Sequence, residues 1–359
     1  MTSTKPVLLT VSGRIPIDLD EQVSAGLRPR ADYIVMRDAF DADLIDIDGA
    51  LAATGRYGRL LHRVAGVGPL LAWYCFRRRR RYEVIVTDGE QVGLPLALLC
   101  RLLGRGTARH MMIVHILSTR SKELVVRWAR LALTIDRYVV YSSWQRDFII
   151  DRLTVPSERV ILSTFMVDTA FFDPAVVAVE QERMICAAGL ERRDYPTLMQ
   201  GVEGLDVRVV IAAASPWSKQ SDSTSGRELP TNVEVRRLSL FELRALYAAS
   251  RFVVMPLVDV QFQAGITTIL EAMSMGRPIV CTRTAGQTDT IIEGETGRYV
   301  APADSGGLRD AIVALLDDET AARMMGQRAR DWVISNADID AYAHRLAEQV
   351  AALRSGLAD

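Results

Sequence analysis

The sequence predicts an α/β protein built from two doubly wound parallel sheets. Three observations carry this. The chain has 359 residues with a 49% hydrophobic share, enough for two globular domains of ordinary size. Short apolar, strand-like runs alternate with connections of helical length, as parallel sheets with crossover helices require. The run Phe252 to Leu257 leads through a polar loop into a helix-length segment, which stops at Gly276 and Pro278 before a new strand, Pro278 to Cys281.

In the first half, Pro6 to Val11 reads as a buried strand ending in the turn Ser12-Gly13-Arg14. Ala31 to Met36 reads as a second strand, and Glu83 to Asp88 as a third, followed by a helix over Gly89 to Leu103. Met111 to Val114 is a fourth strand ending at His115, and Tyr138 to Tyr141 a fifth, with Ser142-Ser143 capping the helix that starts at Trp144. Arg159 to Leu162 closes the set. Open parallel sheets bind ligands outside the carboxyl ends of their strands, which makes Gly13 and His115 candidates. His115 either reaches into such a crevice or donates to a neighbouring loop carbonyl.

The formal net charge of −1 hides an asymmetry. Residues 1–150 hold 22 Lys and Arg against 15 Asp and Glu, whereas the remainder holds 21 against 29. A basic first half can be drawn to an anionic surface. Residues 60–82 run Trp73, Tyr74 and Phe76 directly into Arg77 to Arg81, and residues 119–133 set Arg120, Lys122, Arg127 and Arg130 around Val125, Val126 and Trp128. Aromatics beside arginines suit an anionic membrane interface, and an amphipathic helix with a solvated basic face is the equal alternative. The arginines are not interleaved along a groove and the whole chain is not basic, which speaks against nucleic acid. The four cysteines lie far apart in apolar surroundings, read as reduced core residues, and show no metal-ligand spacing. No apolar run reaches the roughly 20 residues of a membrane span, and Met1 to Lys5 do not resemble a secretory leader. The expected location is cytoplasmic, with peripheral contact at the inner membrane face.

The second half centres on Asp259 to Asp289. A polar loop, Asp259 to Gln263, is followed by the small-residue turn Ala264-Gly265 and then by a helix over Ile266, Thr267, Thr268 and on to Met273. Such an entry presents unpaired backbone N–H groups and the positive end of a helix dipole, which suits phosphate. Glu271, one turn inside, is costly to bury unpaired. It is well placed to accept both hydroxyls of a ribose, and together these features point to a nucleotide diphosphate.

This stretch resembles the retaining glycosyltransferases of family 4, which have the two-domain GT-B fold: Rossmann-like domains facing across a cleft. Those enzymes carry two glutamates with seven residues between them, then Ala-Met or Ala-Cys, Gly-x-Pro and a strand. Glu271 falls on the second glutamate, and Gln263 replaces the first; Gly265 sits one place early. The resemblance implies that Glu271 holds the ribose, Gln263 meets the donor sugar, and the turn through Ala264, Gly265, Ile266, Thr267 and Thr268 holds the diphosphate. Phe165 to Phe172 resembles the family's Val-Asp-Thr-x-x-Phe at the end of its first domain. Gly189 to Tyr195 stands where the family has Gly-Arg and a later lysine; here the lysine is missing, and the diphosphate role is carried to Arg193, with Arg192 as second choice. Many members have a histidine at the place of His115, near the acceptor or the transferring sugar. Ala285 to Asp289 stands where the family has Gly-x-x-Glu at a helix start.

The implied domains are 1–172 on the acceptor side, a linker at 173–182, a donor domain at 183–335, and a C-terminal helix at 336–359 returning to the first domain. The implied activity is transfer of a sugar from a nucleotide-diphosphate sugar, with retention, to a lipid-linked, glycan or other hydrophobic acceptor. His115, Arg193 and Gln263 are the catalytic candidates. Gly13, Arg192 and the turn with Glu271 bind donor. No metal or other cofactor is expected, the nucleotide sugar being a co-substrate. A catalytically silent nucleotide-sugar binder is one alternative, motivated by Gln263 and the missing lysine. A sugar epimerase or phosphorylase of the same fold is another. The Ser/Gly-rich stretch Ser215 to Pro230 is expected to be a loop, with a flap beside the donor as its functional reading.

Overall fold

The computed structural model describes residues 5–213 and 228–356. The flap stretch falls largely on residues outside that range. The chain divides into two compact units. The described parts of Met1–Asp20, Ala31–Ser163 and Asp340–Asp359 form one, and Glu21–Arg30 with Thr164–Ile339 the other.

The first half contains, in order, β1 (Val7–Thr10), α1 (Leu19–Ser24), α2 (Asp32–Ala39), β2 (Ala42–Ile45), α3 (Ile47–Ala65), α4 (Val67–Arg78) and β3 (Val84–Asp88). It continues with α5 (Glu90–Leu103), β4 (Arg109–Ile113), α6 (Arg120–Trp128), β5 (Arg137–Val140), α7 (Ser143–Asp147) and β6 (Val160–Leu162). The strands form one parallel sheet in the order β2-β1-β3-β4-β5-β6. Register puts Leu8 beside Ile85 and Met112 beside Tyr138, all on one face, where α3 packs on α4, α4 on α5, and α5 and α6 share a core with β4 and β5.

Two expectations are corrected in this unit. Ala31 to Met36 is not a strand; it opens α2, with Asp32 in the first helical turn and Met36 and Phe40 buried one turn apart. The second strand is β2, whose sequence ADLI carries the charged Asp43 and leaves only its two end residues buried. A short apolar run does not distinguish buried helix from strand, and here packing at a helical spacing prevailed. In the aromatic stretch before the arginine run, Tyr74 and Phe76 also turn to the core and not outward, while Trp73 is partly buried. Leu70, Leu71, Tyr74, Cys75 and Phe76 belong to the core beneath α4. Arg78 and Arg79 lie over the Tyr74 and Phe76 rings at 3.9 and 3.8 Å, so the rings are covered from both sides.

The second unit contains β7 (Met184–Ala188), α8 (Tyr195–Val202), β8 (Arg208–Ala212), β9 (Val233–Arg236), α9 (Leu240–Ala249), β10 (Val253–Met255) and α10 (Ile266–Ser274). After these come β11 (Ile279–Thr282), β12 (Gly297–Val300), α11 (Ser305–Asp317) and α12 (Glu319–Asn336). Its sheet is parallel, ordered β12-β11-β10-β7-β8-β9, with an apolar layer on each face. The Val167-Asp168-Thr169 motif has a structural role here. Asp168 accepts from the Arg30 backbone at 2.8 Å and pairs with its guanidinium, and Thr169 donates to Asp338 at 2.5 Å.

The last helix, α13 (Ile339–Ser355), runs into the first unit. There Tyr342 and Tyr141 share a buried hydroxyl–hydroxyl bond of 2.8 Å, and Arg354 pairs with Glu83 at 2.6 Å. Among the described residues no helix is long and apolar enough to cross a membrane.

Candidate functional site

In the second unit the site is assembled at the carboxyl ends of β7 and β10. Gly265 caps α10 with φ +78°, a left-handed conformation that favours glycine, and a Cβ there would stand 2.7 Å from the Met255 sulfur. Glycine is therefore required twice over, by conformation and by space. Because Gly265 has no capping side chain, the first-turn amides of Ile266, Thr267 and Thr268 have no acceptor among the described residues. Ile266 and Thr268 are buried, and Thr267 is exposed.

Arg193 is brought to this helix start. Residues 192–194 are stitched to 256–258 through Asp194 N to Pro256 O at 2.9 Å and Val258 N to Arg192 O at 3.0 Å. The buried guanidinium donates to the carbonyls of Ala188 at 2.7 Å and Glu191 at 2.6 Å, and reaches the Thr268 hydroxyl at 3.5 Å. Gly189, at φ +92°, leaves room for it: a Cβ would stand 2.5 Å from Nη2. None of these bonds is to a carboxylate. Burial holds the Arg193 pKa below its usual value, the penalty of a desolvated cation whose neighbours neutralise it only in part. Arg192 goes elsewhere. It is exposed, and its nearest ionic neighbour is Glu191 at 3.9 Å.

Glu271 lies one turn further along α10 and is buried. Desolvation raises its pKa to about 8, against the lowering effects of a hydrogen bond from Tyr247 and the charge of Arg193. Tyr247, from α9, donates at 3.0 Å, and the Thr268 hydroxyl meets the same phenol. Arg193, Thr268, Tyr247 and Glu271 are thus one buried polar chain. Sequence reading missed Tyr247; the available signal was a phenol in an apolar helix, which needs a partner once buried.

Gln263 stands in the loop before α10. Its Nε2 donates to Thr290 at 3.3 Å, while its Oε1 is buried without a partner. The turn Thr284–Thr290 packs against this loop, so closely at Gly286 that a Cβ would meet the Phe262 carbonyl carbon at 2.3 Å. Gln287 in that turn is fully buried with neither amide atom bonded, and the hydroxyls of Thr284 and Tyr299 are also unpartnered. Neutral donors and acceptors in this density suit hydroxyl-bearing ligands or enclosed water.

In the first unit, His115 follows β4, and its Nε2 lies 2.8 Å from Asp88 Oδ1 at the end of β3. Burial opposes the charged imidazolium, but the Asp88 hydrogen bond and charge, with Glu90 and Asp32, outweigh it and raise the His115 pKa to about 9. The side chain nevertheless keeps 41% of its surface open. Glu90, buried, fixes the loop by accepting from the His115 amide at 3.1 Å and the Ile116 amide at 3.3 Å. Burial acts to raise its pKa, but Lys122, at 2.7 Å, prevails and leaves it lowered. Lys122 is therefore turned inward, away from the basic face expected for it. Asp32 opens α2 and is pushed up to about 6, first by burial and then by the Asp88 charge. Gly13, in the bend after β1, follows Ser12, whose hydroxyl donates to the Asp88 carbonyl at 3.1 Å. Asp32, Asp88 and Glu90 were not among the sequence candidates. Asp32 was hidden by the strand reading, and the other two by the absence of a local motif.

Comparison with known proteins adds three findings. Residues 193–318 match the family model described as Glycosyl transferases group 1. Among curated proteins, the chain is 34% identical over 87 residues to a glycogen synthase of Mycobacterium tuberculosis, covering 24% of this chain and 21% of that one. It is 42% identical over 65 residues to an N-acetyl-alpha-D-glucosaminyl L-malate synthase of Bacillus anthracis, covering 18% and 17%. To a D-inositol 3-phosphate glycosyltransferase of Corynebacterium aurimucosum it is 32% identical over 131 residues, covering 35% and 30%. The match thus spans less than a third of each of these relatives. Among solved structures, sucrose-phosphate synthase from Thermosynechococcus elongatus superposes with a TM-score of 0.70 at 16% identity, over 98% of this chain and 100% of that one. Anabaena HepE in complex with UDP gives 0.71 at 15%, over 97% and 100%. The chain has the two-domain α/β fold of the GT-B glycosyltransferases, and the larger part of its second unit matches the group 1 glycosyl transferases.

Proposed function

We propose that this protein is a glycosyltransferase that moves a sugar from a nucleotide-diphosphate sugar to an acceptor, with retention of anomeric configuration. The observation that carries the proposal is the buried Arg193 guanidinium. It is hydrogen-bonded only to neutral groups and stands 3.5 Å from Thr268 at a helix start whose amides lack acceptors. A diphosphate supplies the missing negative charge to both. Charge that develops on the departing diphosphate meets a preorganised cation, amides and dipole, the arrangement that stabilises a transition state more than a ground state. Glu271 takes the ribose hydroxyls. Gln263 and the amide-rich turn beside it take the donor sugar. The crystallised HepE complexes with UDP and UDP-glucose support a nucleotide-sugar donor for this fold.

His115 has the acceptor-side role, contributed by the first unit. With a pKa of about 9 it is a cation at neutral pH, so it donates hydrogen bonds to sugar or phosphate oxygens and does not abstract a proton. The acceptor is a lipid-linked, glycan or other hydrophobic molecule, in keeping with the basic first half. The test is a thermal-shift screen of nucleotide diphosphates and their sugars, since a specific ligand stabilises the fold by mass action. It is followed by donor hydrolysis and transfer with the best ligand. A nucleotide diphosphate that raises the melting temperature while its nucleoside does not supports the anion site. A ligand that stabilises without any hydrolysis or transfer leaves a silent binder as the better reading.

A further inference from the structure

We propose that the helical face formed by α3, α5 and α6 in the first unit docks on an anionic lipid surface. Beyond the kink at Gly55, α3 turns Tyr57, Leu60 and Val64 to solvent at 76%, 61% and 77% exposure. The spacing of three and four puts them on one stripe. Gly58 buries the opposite side, where a Cβ would stand 3.2 Å from Leu70 of α4. Arg56, Arg59 and Arg63 repeat the same spacing one position earlier, along the edge of the stripe. They have no ion-pair or hydrogen-bond partner among the described residues.

The pattern recurs across the layer. On α5, Leu102 and Leu103 are exposed beside an unpartnered Arg101. On α6, Val126 faces the core while Leu124, Val125 and Trp128 face out, Trp128 at 87% exposure, near the exposed Arg120 and Arg127. All three helices lie on one side of the sheet, as the packing of α3 on α4, of α4 on α5, and the shared α5–α6 core require.

Exposed apolar stripes edged by guanidinium groups, of which Arg127 alone is ion-paired among the described residues (to Glu123 at 3.5 Å), complement acyl chains beneath anionic headgroups. A second copy of the chain fits less well, because a two-fold contact on this face would bring arginine edges toward each other. The contact does not depend on the donor-site assignments, nor on Arg77 to Arg81. It moves the expected membrane contact from buried aromatics to exposed ones.

The experiment is co-sedimentation of the full chain with phosphatidylcholine vesicles, with and without a quarter phosphatidylglycerol. The proposal expects binding to the anionic vesicles that falls at least tenfold on going to half-molar salt, and little binding to neutral ones. The variant Arg56→Gln/Arg59→Gln/Arg63→Gln should lose roughly a hundredfold at low salt, at about fivefold per arginine, and flatten the salt dependence. The variant Tyr57→Ser/Leu60→Ser/Val64→Ser should lose about tenfold or more with an unchanged melting temperature and unchanged nucleotide binding, since these side chains are already in solvent. A wild type that stays in the supernatant at low salt overturns the proposal. So does a serine variant that binds like wild type. Concentration-dependent dimerisation that the serine variant abolishes would assign the face to a second copy instead, and would also overturn it. Nucleotide binding is read separately, so this failure is distinguishable from failure of the donor site.

Discussion

Tyr247 donates its phenol to Oε2 of Glu271 across 3.0 Å, with both side chains buried. That bond and the Arg193 charge lower the Glu271 pKa, yet desolvation outweighs them and leaves it near 8. At neutral pH the unliganded carboxyl is therefore mostly protonated. Two ribose hydroxyls donating to it would favour the ionised form.

The first prediction follows from this. A carboxyl whose folded-state pKa is raised holds its proton in the folded state after the unfolded chain has lost it. Stability then declines as pH rises from about 4.5 toward about 8. Urea unfolding across that range should show the decline, and Glu271→Gln should flatten it. Glu271→Ala should weaken nucleotide binding by roughly 1.5–3 kcal/mol. Calorimetry at pH 7 in buffers of different ionisation enthalpy should detect proton release on binding. A nucleotide that binds the Ala variant as tightly as wild type removes Glu271 from the ribose.

Arg193 should discriminate by phosphate count. Arg193→Lys keeps a charge but loses the fork that spans two carbonyls and Thr268. Nucleoside-diphosphate affinity should fall by at least tenfold while nucleoside affinity changes little. The melting temperature should also drop, because two backbone carbonyls lose their donor. Equal losses for nucleoside and diphosphate would place Arg193 in a structural role only.

Gln263 is tied to Thr290 through Nε2 and leaves Oε1 unpartnered, an amide with capacity to spare. Gln263→Ala should lower transfer more than it weakens binding of the bare nucleotide. Kinetics with the sugar donor and calorimetry with the nucleotide separate the two. Matching losses would put Gln263 on the nucleotide.

For His115 the sign is the same as for Glu271, in a higher pH window. Its folded-state pKa is raised to about 9 from 6.5, so the stabilisation from Asp88 is fully present below about 6.5 and disappears as pH climbs through about 9. Asp88→Asn should shift the His115 titration, followed by NMR, downward; Glu90 and Asp32 still favour the charged ring, while Lys122 on α6 offsets Glu90. A titration that Asp88→Asn leaves unchanged would contradict the pairing. Transfer should fall above pH 9 in wild type if His115 acts as a cation.

Gly265→Ala tests the helix start itself. The left-handed φ of +78° and the 2.7 Å approach to the Met255 sulfur act together, so the substitution should cost about 1–3 kcal/mol of stability and most diphosphate affinity. Denaturant melts and calorimetry read the two losses. A variant with wild-type stability and affinity would show that this turn does not shape the site.

The sequence by itself determined the parallel α/β class, the strand–helix–strand unit around Gly265 and Glu271, and most of the buried strands. These are local signals: apolar runs of strand length, and breakers at fixed offsets. Edge strands β9 and β12 escaped, because VEVR and GRYV are four residues long with two buried positions or fewer. Only tertiary structure shows that Arg193 is buried against Thr268 while Arg192 is exposed, since this depends on which neighbouring backbone carbonyls accept the guanidinium. Tyr247 lies 24 residues before Glu271 and Asp88 lies 27 before His115, so no local spacing ties either pair. Tertiary structure likewise set the fate of the aromatics. Tyr74 and Phe76 share a helix with Arg77 and Arg78, and only packing of α4 against its neighbours shows that the rings point to the core. Period and composition mark a residue as apolar or charged, but which side of a helix meets solvent is set by what else is packed there.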